Sequence, residues 1–214
     1  METFIGYMRR FLADHNAKQV VEVGPDPQLI LASRLAPFVE TYYCCDFPSR
    51  EPYVRQWIEN HEDFGSISNI RALYGNGLEL GKLLQESGIN GSIDVIILHC
   101  VSPELEEGDT ALLVSYMRGE EDLTQADWER LENKFISAQE KGLAEFLKVA
   151  EHGHIVYFGS QGLYERLNPT ITHAGLNPLQ ITQMQLIYSD PDAGPSHDDP
   201  AEPWDMLMID NTKK

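Results

Sequence analysis

The sequence predicts an α/β domain of three layers, with a mostly parallel sheet between two sets of helices and an antiparallel pair of strands at its carboxyl end. Three observations carry this expectation. A strand, a helix and a second strand follow one another between Gln19 and Phe47. Helical and extended patterns then alternate as far as Ser160, the order that builds a parallel sheet. Beyond that point, Leu179 to Tyr188 and Trp204 to Ile209 alternate apolar with polar residues, as the arms of a hairpin do.

A helix is expected first, from about Thr3 to His15, because Phe4, Met8, Phe11 and Leu12 share a face while Arg9, Arg10 and Asp14 can face water. Val20, Val21 and Val23 then form a β-branched run with one acid, Glu22, inside it, which suits a strand buried on both faces. Gly24-Pro25-Asp26-Pro27 stops this strand, and Pro27 is tolerated in the first turn of a helix. Leu29, Ile30, Ala32, Leu35 and Ala36 recur at helical spacing until Pro37, after which an aromatic-rich strand runs up to Asp46. A unit of this kind suits a nucleotide. Gly24 lets a ligand approach the backbone, the helix start favours polar groups, and an acid at the second strand tip can accept both ribose hydroxyls. The turn has no Gly-x-Gly-x-x-Gly, and the Asp26 carboxylate would repel a pyrophosphate.

Farther on, Pro48 to Pro52 reads as a loop, Tyr53 to Asn60 as a short helix and Ile70 to Tyr74 as the third strand, which ends in Gly75-Asn76-Gly77. Leu78 to Ser87 is helical, closed by Gly88. Ile93 to Cys100 has the continuous apolar centre of a central parallel strand and ends beside His99. Ser102 to Leu123 is too long and polar for a simple connection, although Ala111 to Met117 offers an apolar segment that can fold over a ligand. Thr124-Gln-Ala-Asp127 signals the cap of a long helix. Its stripe of Trp128, Leu131, Phe135 and Ala138, continued by Leu143, Phe146, Leu147 and Ala150, reads as core packing, and Gly153 closes it. His154 to Ser160 is the fifth strand. A polar stretch with Pro169, Gly175 and Pro178 follows, and an acidic, proline-rich loop from Ser189 to Pro203 joins the arms of the hairpin.

Glu22-Val23-Gly24, with Asp46 and Phe47 at the end of the second strand, resembles the motif I region of class I, Rossmann-like S-adenosylmethionine-dependent methyltransferases. The motif is degenerate, because Asp26 and Gln28 stand where that family has further glycines. The strand ending at His99 resembles the family's motif IV, and the terminal antiparallel pair is a feature of the same fold. The resemblance implies S-adenosylmethionine as cofactor, held by Glu22, Gly24, Asp26, Asp46, Phe47, Asn76 and Gly77. Asp46 would bind the ribose, Phe47 would pack on adenine and Asn76 would bond the adenine edge; Asn76-Gly77 is equally a plain turn. The cationic sulfonium and ammonium of this cofactor make an acidic turn tolerable. His99 would lie beside the reacting methyl, where a histidine of ordinary pKa, about 6.5, can act as a general base, or it is a structural histidine bonded to a loop. The family's Asn/Asp-Pro-Pro-Tyr signature of amino methylation is replaced by His99-Cys-Val-Ser. Residues 1–214 are expected to form one such domain, with substrate-covering insertions at about 101–124 and 161–203.

Composition narrows the partners. Acids outnumber Lys and Arg 34 to 16, a formal charge of -18, which opposes binding to nucleic acid and to anionic membranes. Cys44, Cys45 and Cys100 read as small buried hydrophobes rather than a disulfide framework, and His152 and His154 lack the spaced partners of a metal site. No signal peptide and no membrane-spanning run is recognised, so a cytoplasmic location is expected. The function expected is methyl transfer to a small organic acceptor. The alternative is a non-catalytic binding or assembly protein of the same fold, and an NAD-dependent oxidoreductase is a more distant one. The sequence specifies neither the acceptor nor the oligomeric state.

Overall fold

The computed structural model describes residues 2–25, 29–48, 51–60, 68–99, 112, 115–116, 119, 122–159, 162–187 and 203–212. In chain order the elements are α1 (Phe4–Asp14), β1 (Gln19–Val23), α2 (Ile30–Leu35), β2 (Thr41–Asp46), α3 (Glu51–Asn60), β3 (Ile70–Tyr74) and α4 (Leu80–Glu86). They are followed by β4 (Val95–His99), α5 (Gln125–Val149), β5 (His154–Gly159), α6 (Leu163–His173), β6 (Ile181–Ile187) and β7 (Pro203–Asp210). The strands form one seven-stranded sheet in the order β3-β2-β1-β4-β5-β7-β6. The first five run parallel, with Val20 opposite both Tyr42 and Val95. β7 returns antiparallel between β5 and β6. This is the mostly parallel, three-layered sheet with a carboxyl-terminal antiparallel hairpin that the sequence predicts.

Alternation along the strands sorts the core into two layers, since successive side chains point to opposite faces. Val20, Tyr42, Ile97 and Phe158 pack with α1 and α2 on one face. Val21, Val23, Ile96 and Ile155 pack with α4, α5 and α6 on the other. α1 starts at Thr3, whose Oγ1 accepts a hydrogen bond from Gly6 N at 3.1 Å. Phe4, fully buried, stacks on Phe158 with ring centroids 3.9 Å apart, so the amino-terminal helix is part of the core. No helix among the described residues is long and apolar enough to cross a membrane.

One element departs from expectation. Part of the polar stretch after Ser160 is the helix α6, with Pro169 inside it. Leu167 and Ile171, one turn apart, are buried against the α5 side of the sheet, and that burial outweighs the backbone bond that Pro169 cannot donate. The start of α6 is held by Asp205 of β7, whose Oδ2 accepts from Gly162 N at 2.7 Å and Leu163 N at 3.2 Å. The expected insertion at 161–203 thus contains a packed helix and the strand β6.

Asp94 ties the amino ends of β1 and β4 together. Its Oδ2 accepts from the backbone N–H of Lys18 at 2.7 Å and of Gln19 at 2.8 Å. Hydrogen bonds to a charged acceptor contribute about 1.5–3 kcal/mol, so Asp94→Ala is expected to destabilise the fold by about that amount. Urea unfolding measures this, and an unchanged midpoint would remove Asp94 from the account of sheet assembly.

Candidate functional site

Five parallel strands bring five carboxyl ends to one edge of the sheet, where open α/β sheets place their ligands. A cavity of about 810 Å³ lies along this edge. Its floor comes from the tips of β1 (Val23, Gly24), β2 (Cys45, Asp46, Phe47), β4 (Leu98) and β5 (Tyr157 to Gly159), and from Asn76 to Leu78 beyond β3.

Backbone hydrogen bonds lock these tips together. Gly24 N donates to Cys45 O at 2.9 Å, and Gly75 N donates to Asp46 O at 2.9 Å. Gly24 has φ of +68°, which lets the chain turn away from β1 in a conformation costly for other residues. Gly77 presses on β1 so closely that a Cβ there would lie 2.6 Å from Val23 Cγ1, so any side chain would intrude on the first strand tip. Asn76 Oδ1 accepts from Leu78 N at 2.8 Å and caps the 3-10 turn Gly77–Glu79. Asp46 is only 4% exposed, and its Oδ1 accepts from Phe47 N at 2.8 Å. A nearly buried carboxylate, a half-buried aromatic ring and two glycines therefore share one surface, a donor and acceptor set that fits an adenosine moiety.

Glu22, Asp26 and His99 complete the set of sequence-predicted site residues. Glu22 is fully buried, with Tyr42 OH donating to its Oε2 at 3.0 Å, and it is not among the residues lining the cavity. Asp26 and Gln28 lie outside the described residues. His99 ends β4 with its backbone opposite Phe158, while its side chain and residues 100–111 lie outside the described part. Leu163 lines the cavity, whereas Tyr164 lines a smaller cleft near 171–183. Tyr116 packs edge-on against Trp128 at 5.3 Å between centroids, and Met117 is not described. Among the described residues, no three His, Cys, Asp or Glu side chains come together as a metal site would require.

The roof of the cavity is the part that sequence reasoning missed. Trp128, Phe135 and Ala138 of α5, expected in the core, line the cavity; Leu131 and Phe146 are buried as expected and also border it, and Leu143 lies in the core beneath. The reason is length. α5 has 25 residues, about 37 Å, whereas the neighbouring strands have five and six, about 17–20 Å, so half of its apolar stripe overhangs the sheet edge. Trp204 of β7, with Leu163, Glu165 and Arg166 of α6, completes the wall.

Burial sets the protonation of the floor. The Cys45 thiol is pushed up to about 12, mainly by burial and secondarily by the charge of Asp46. Burial likewise raises the Tyr157 phenol, which stays neutral. Among the described residues, the charged ones that line the cavity are Asp46, Glu132, Glu165 and Arg166, three acids and one base.

No family model matches the sequence, and no curated protein matches it either. Solved structures do match in fold. An rRNA methylase from Streptococcus thermophilus is 12% identical, with 98% of each chain covered and a TM-score of 0.56. An O-methyltransferase from Bacillus cereus, solved with SAH, is 10% identical over 95% of this chain and 78% of that one, with a TM-score of 0.57. The N-methyltransferase NodS from Bradyrhizobium japonicum is 12% identical over 95% of this chain and 92% of that one, at 0.51. The chain has the class I methyltransferase fold.

The raised Cys45 pKa gives a direct check on this floor. Folding favours the neutral thiol, an effect present in full below the unfolded pKa, about 8.5, and lost as pH rises through the folded value. At pH 8 the native thiolate fraction is on the order of one in ten thousand, so Cys45 should resist iodoacetamide until the chain unfolds. Peptide mapping after labelling reads the outcome, and equal labelling of native and urea-unfolded protein would contradict this burial.

Proposed function

We propose that this chain is an S-adenosylmethionine-dependent methyltransferase acting on a small organic acceptor. The observation that carries the reading is the convergence of Gly24, Asp46, Phe47, Asn76 and Gly77, from three separate strand ends, on one cavity. Asp46 accepts the ribose hydroxyls and Phe47 packs on adenine. Asn76 has its oxygen engaged in a cap, so its NH2 group is the part that donates to the base edge. Gly24 and Gly77 keep the backbone free of side chains where the cofactor lies. Glu22 acts from beneath, holding the tip of β1 through Tyr42, and Asp26, two residues past Gly24, supplies a carboxylate suited to the cofactor's cationic end. The cofactor supplies an electrophilic methyl group on a sulfonium. The protein's part is to align the acceptor with it and keep water away.

Charge supports a small acceptor. A formal charge of -18 and a cavity lined, among the described residues, by three acids and one base oppose a polyanionic substrate. The rRNA named for the Streptococcus thermophilus protein belongs to a chain only 12% identical to this one. A non-catalytic role is the second reading, favoured by Asp26 and Gln28 in place of glycines. His99 is the proposed general base, on the strength of its place at the end of β4.

Two variants separate these roles. Asp46→Ala removes a charged acceptor worth about 1.5–3 kcal/mol, so S-adenosylhomocysteine affinity should fall about ten- to a hundredfold with the fold retained. His99→Asn should lower turnover, abolish the pH limb of the parent and leave that affinity intact. Unchanged affinity in Asp46→Ala would move the cofactor elsewhere, and unchanged turnover in His99→Asn would make the histidine structural.

A further inference from the structure

We propose that the overhanging half of α5 is an acceptor subsite selecting hydrophobic amines, bound as their ammonium forms between aromatic rings and the Glu132 carboxylate. The inference rests on the cofactor reading above, because it concerns the part of the cavity that the adenosine-facing residues leave over. The residues assigned to adenosine line only the strand-tip floor of the cavity of about 810 Å³, and the α5 side of its lining has no part in that assignment.

The chemistry of that second region is read from the helix stripe. Trp128, Glu132 and Phe135 follow at spacings of four and three, which places a carboxylate between two aromatic rings on the face of α5 that borders the cavity. Trp204, itself packed on Phe158 with centroids 5.4 Å apart, adds a third ring from β7. The charges then assign themselves. Asp46 lies on the floor with Phe47 and serves the ribose, and Glu165 and Arg166, adjacent on α6, sum to zero. Among the described lining residues, Glu132 is the remaining net charge of the wall. Aromatic faces attract a cation and accept an apolar body, and a carboxylate between them adds a Coulombic preference for the same ligand. An anionic isostere meets repulsion from Glu132, and the one cation among the described lining residues, Arg166, has the acid Glu165 next to it in sequence.

Transfer to such an acceptor balances simply. The ammonium first gives up one proton, which passes through the general base proposed above to solvent, and the freed nitrogen pair forms the new N–C bond as the S–C bond breaks, its electrons remaining on sulfur. Each turnover therefore releases one proton and leaves a methylated ammonium and a neutral thioether.

The test compares 2-phenylethylamine with 3-phenylpropanoate, which share an aromatic body and differ in charge. Both are titrated calorimetrically into the protein saturated with S-adenosylhomocysteine, and quenching of tryptophan fluorescence is followed in parallel. The amine should bind at least about tenfold more tightly than the acid, and Glu132→Gln should bring the two within about threefold while S-adenosylhomocysteine affinity holds. Trp128→Ala should weaken the amine and leave the cofactor product bound as before. Equal binding of amine and acid, binding of neither, or a preference unchanged in Glu132→Gln would overturn the subsite while S-adenosylhomocysteine binding persists. Failure of S-adenosylhomocysteine itself to bind would overturn the cofactor reading, and the subsite with it.

Discussion

Helix α5 joins two parallel strands, so it runs back across the sheet from the carboxyl to the amino edge, and at 25 residues it is about twice as long as they are. The sheet itself therefore underlies mainly the carboxyl-terminal part of its apolar stripe. Leu143 is placed in the core by this geometry, Phe146 at the boundary of core and cavity, and Trp128, Leu131 and Phe135 along the cavity over the strand tips. Thr124 and Asp127 hold the far end of the helix in a reciprocal cap, with Asp127 N donating to Thr124 Oγ1 at 3.1 Å and Thr124 N donating to Asp127 Oδ2 at the same distance. The first turn would otherwise fray, because the first N–H groups of a helix have no partner within it.

What lies under the overhang is equally constrained. Parallel pairing aligns Val23 with Cys45 and Leu98, and Cys45 with Leu73, so the tips of β1, β2 and β4 end at one level. Gly24 and Gly75 then donate to the tip of β2, which leaves Asp46 almost buried yet facing the cavity. The site thus joins residues far apart in the chain through sheet register, and its acidic character follows from a few positions rather than from the overall charge alone.

The parts legible in the sequence were those with a local signature. The β-branched run around Val21, the aromatic strand ending at Asp46 and the Thr124–Asp127 cap each announce themselves within a few residues, and the structure forms all three. The α6 helix was hidden because Pro169 reads as a breaker, while the burial of Leu167 and Ile171 that sustains it is a tertiary fact. The cavity-lining role of Trp128 and Phe135 was hidden for another reason. An apolar stripe looks the same whether it meets a core or a cavity, and only the comparison of helix length with strand length tells them apart. Glu22 has the opposite history. Its spacing before Gly24 suggested a ligand contact, but side-chain alternation along β1 sets it in the buried layer with Tyr42.

The central claim is that the strand-tip cavity holds S-adenosylmethionine rather than a dinucleotide. Calorimetric titration of the unaltered chain with S-adenosylhomocysteine and, separately, with NAD tests it most directly. One equivalent of S-adenosylhomocysteine should bind and NAD should give no saturable heat, since the turn after Val23 offers one glycine and the Asp26 carboxylate instead of a pyrophosphate cradle. Saturable binding of NAD with none of S-adenosylhomocysteine would contradict the claim.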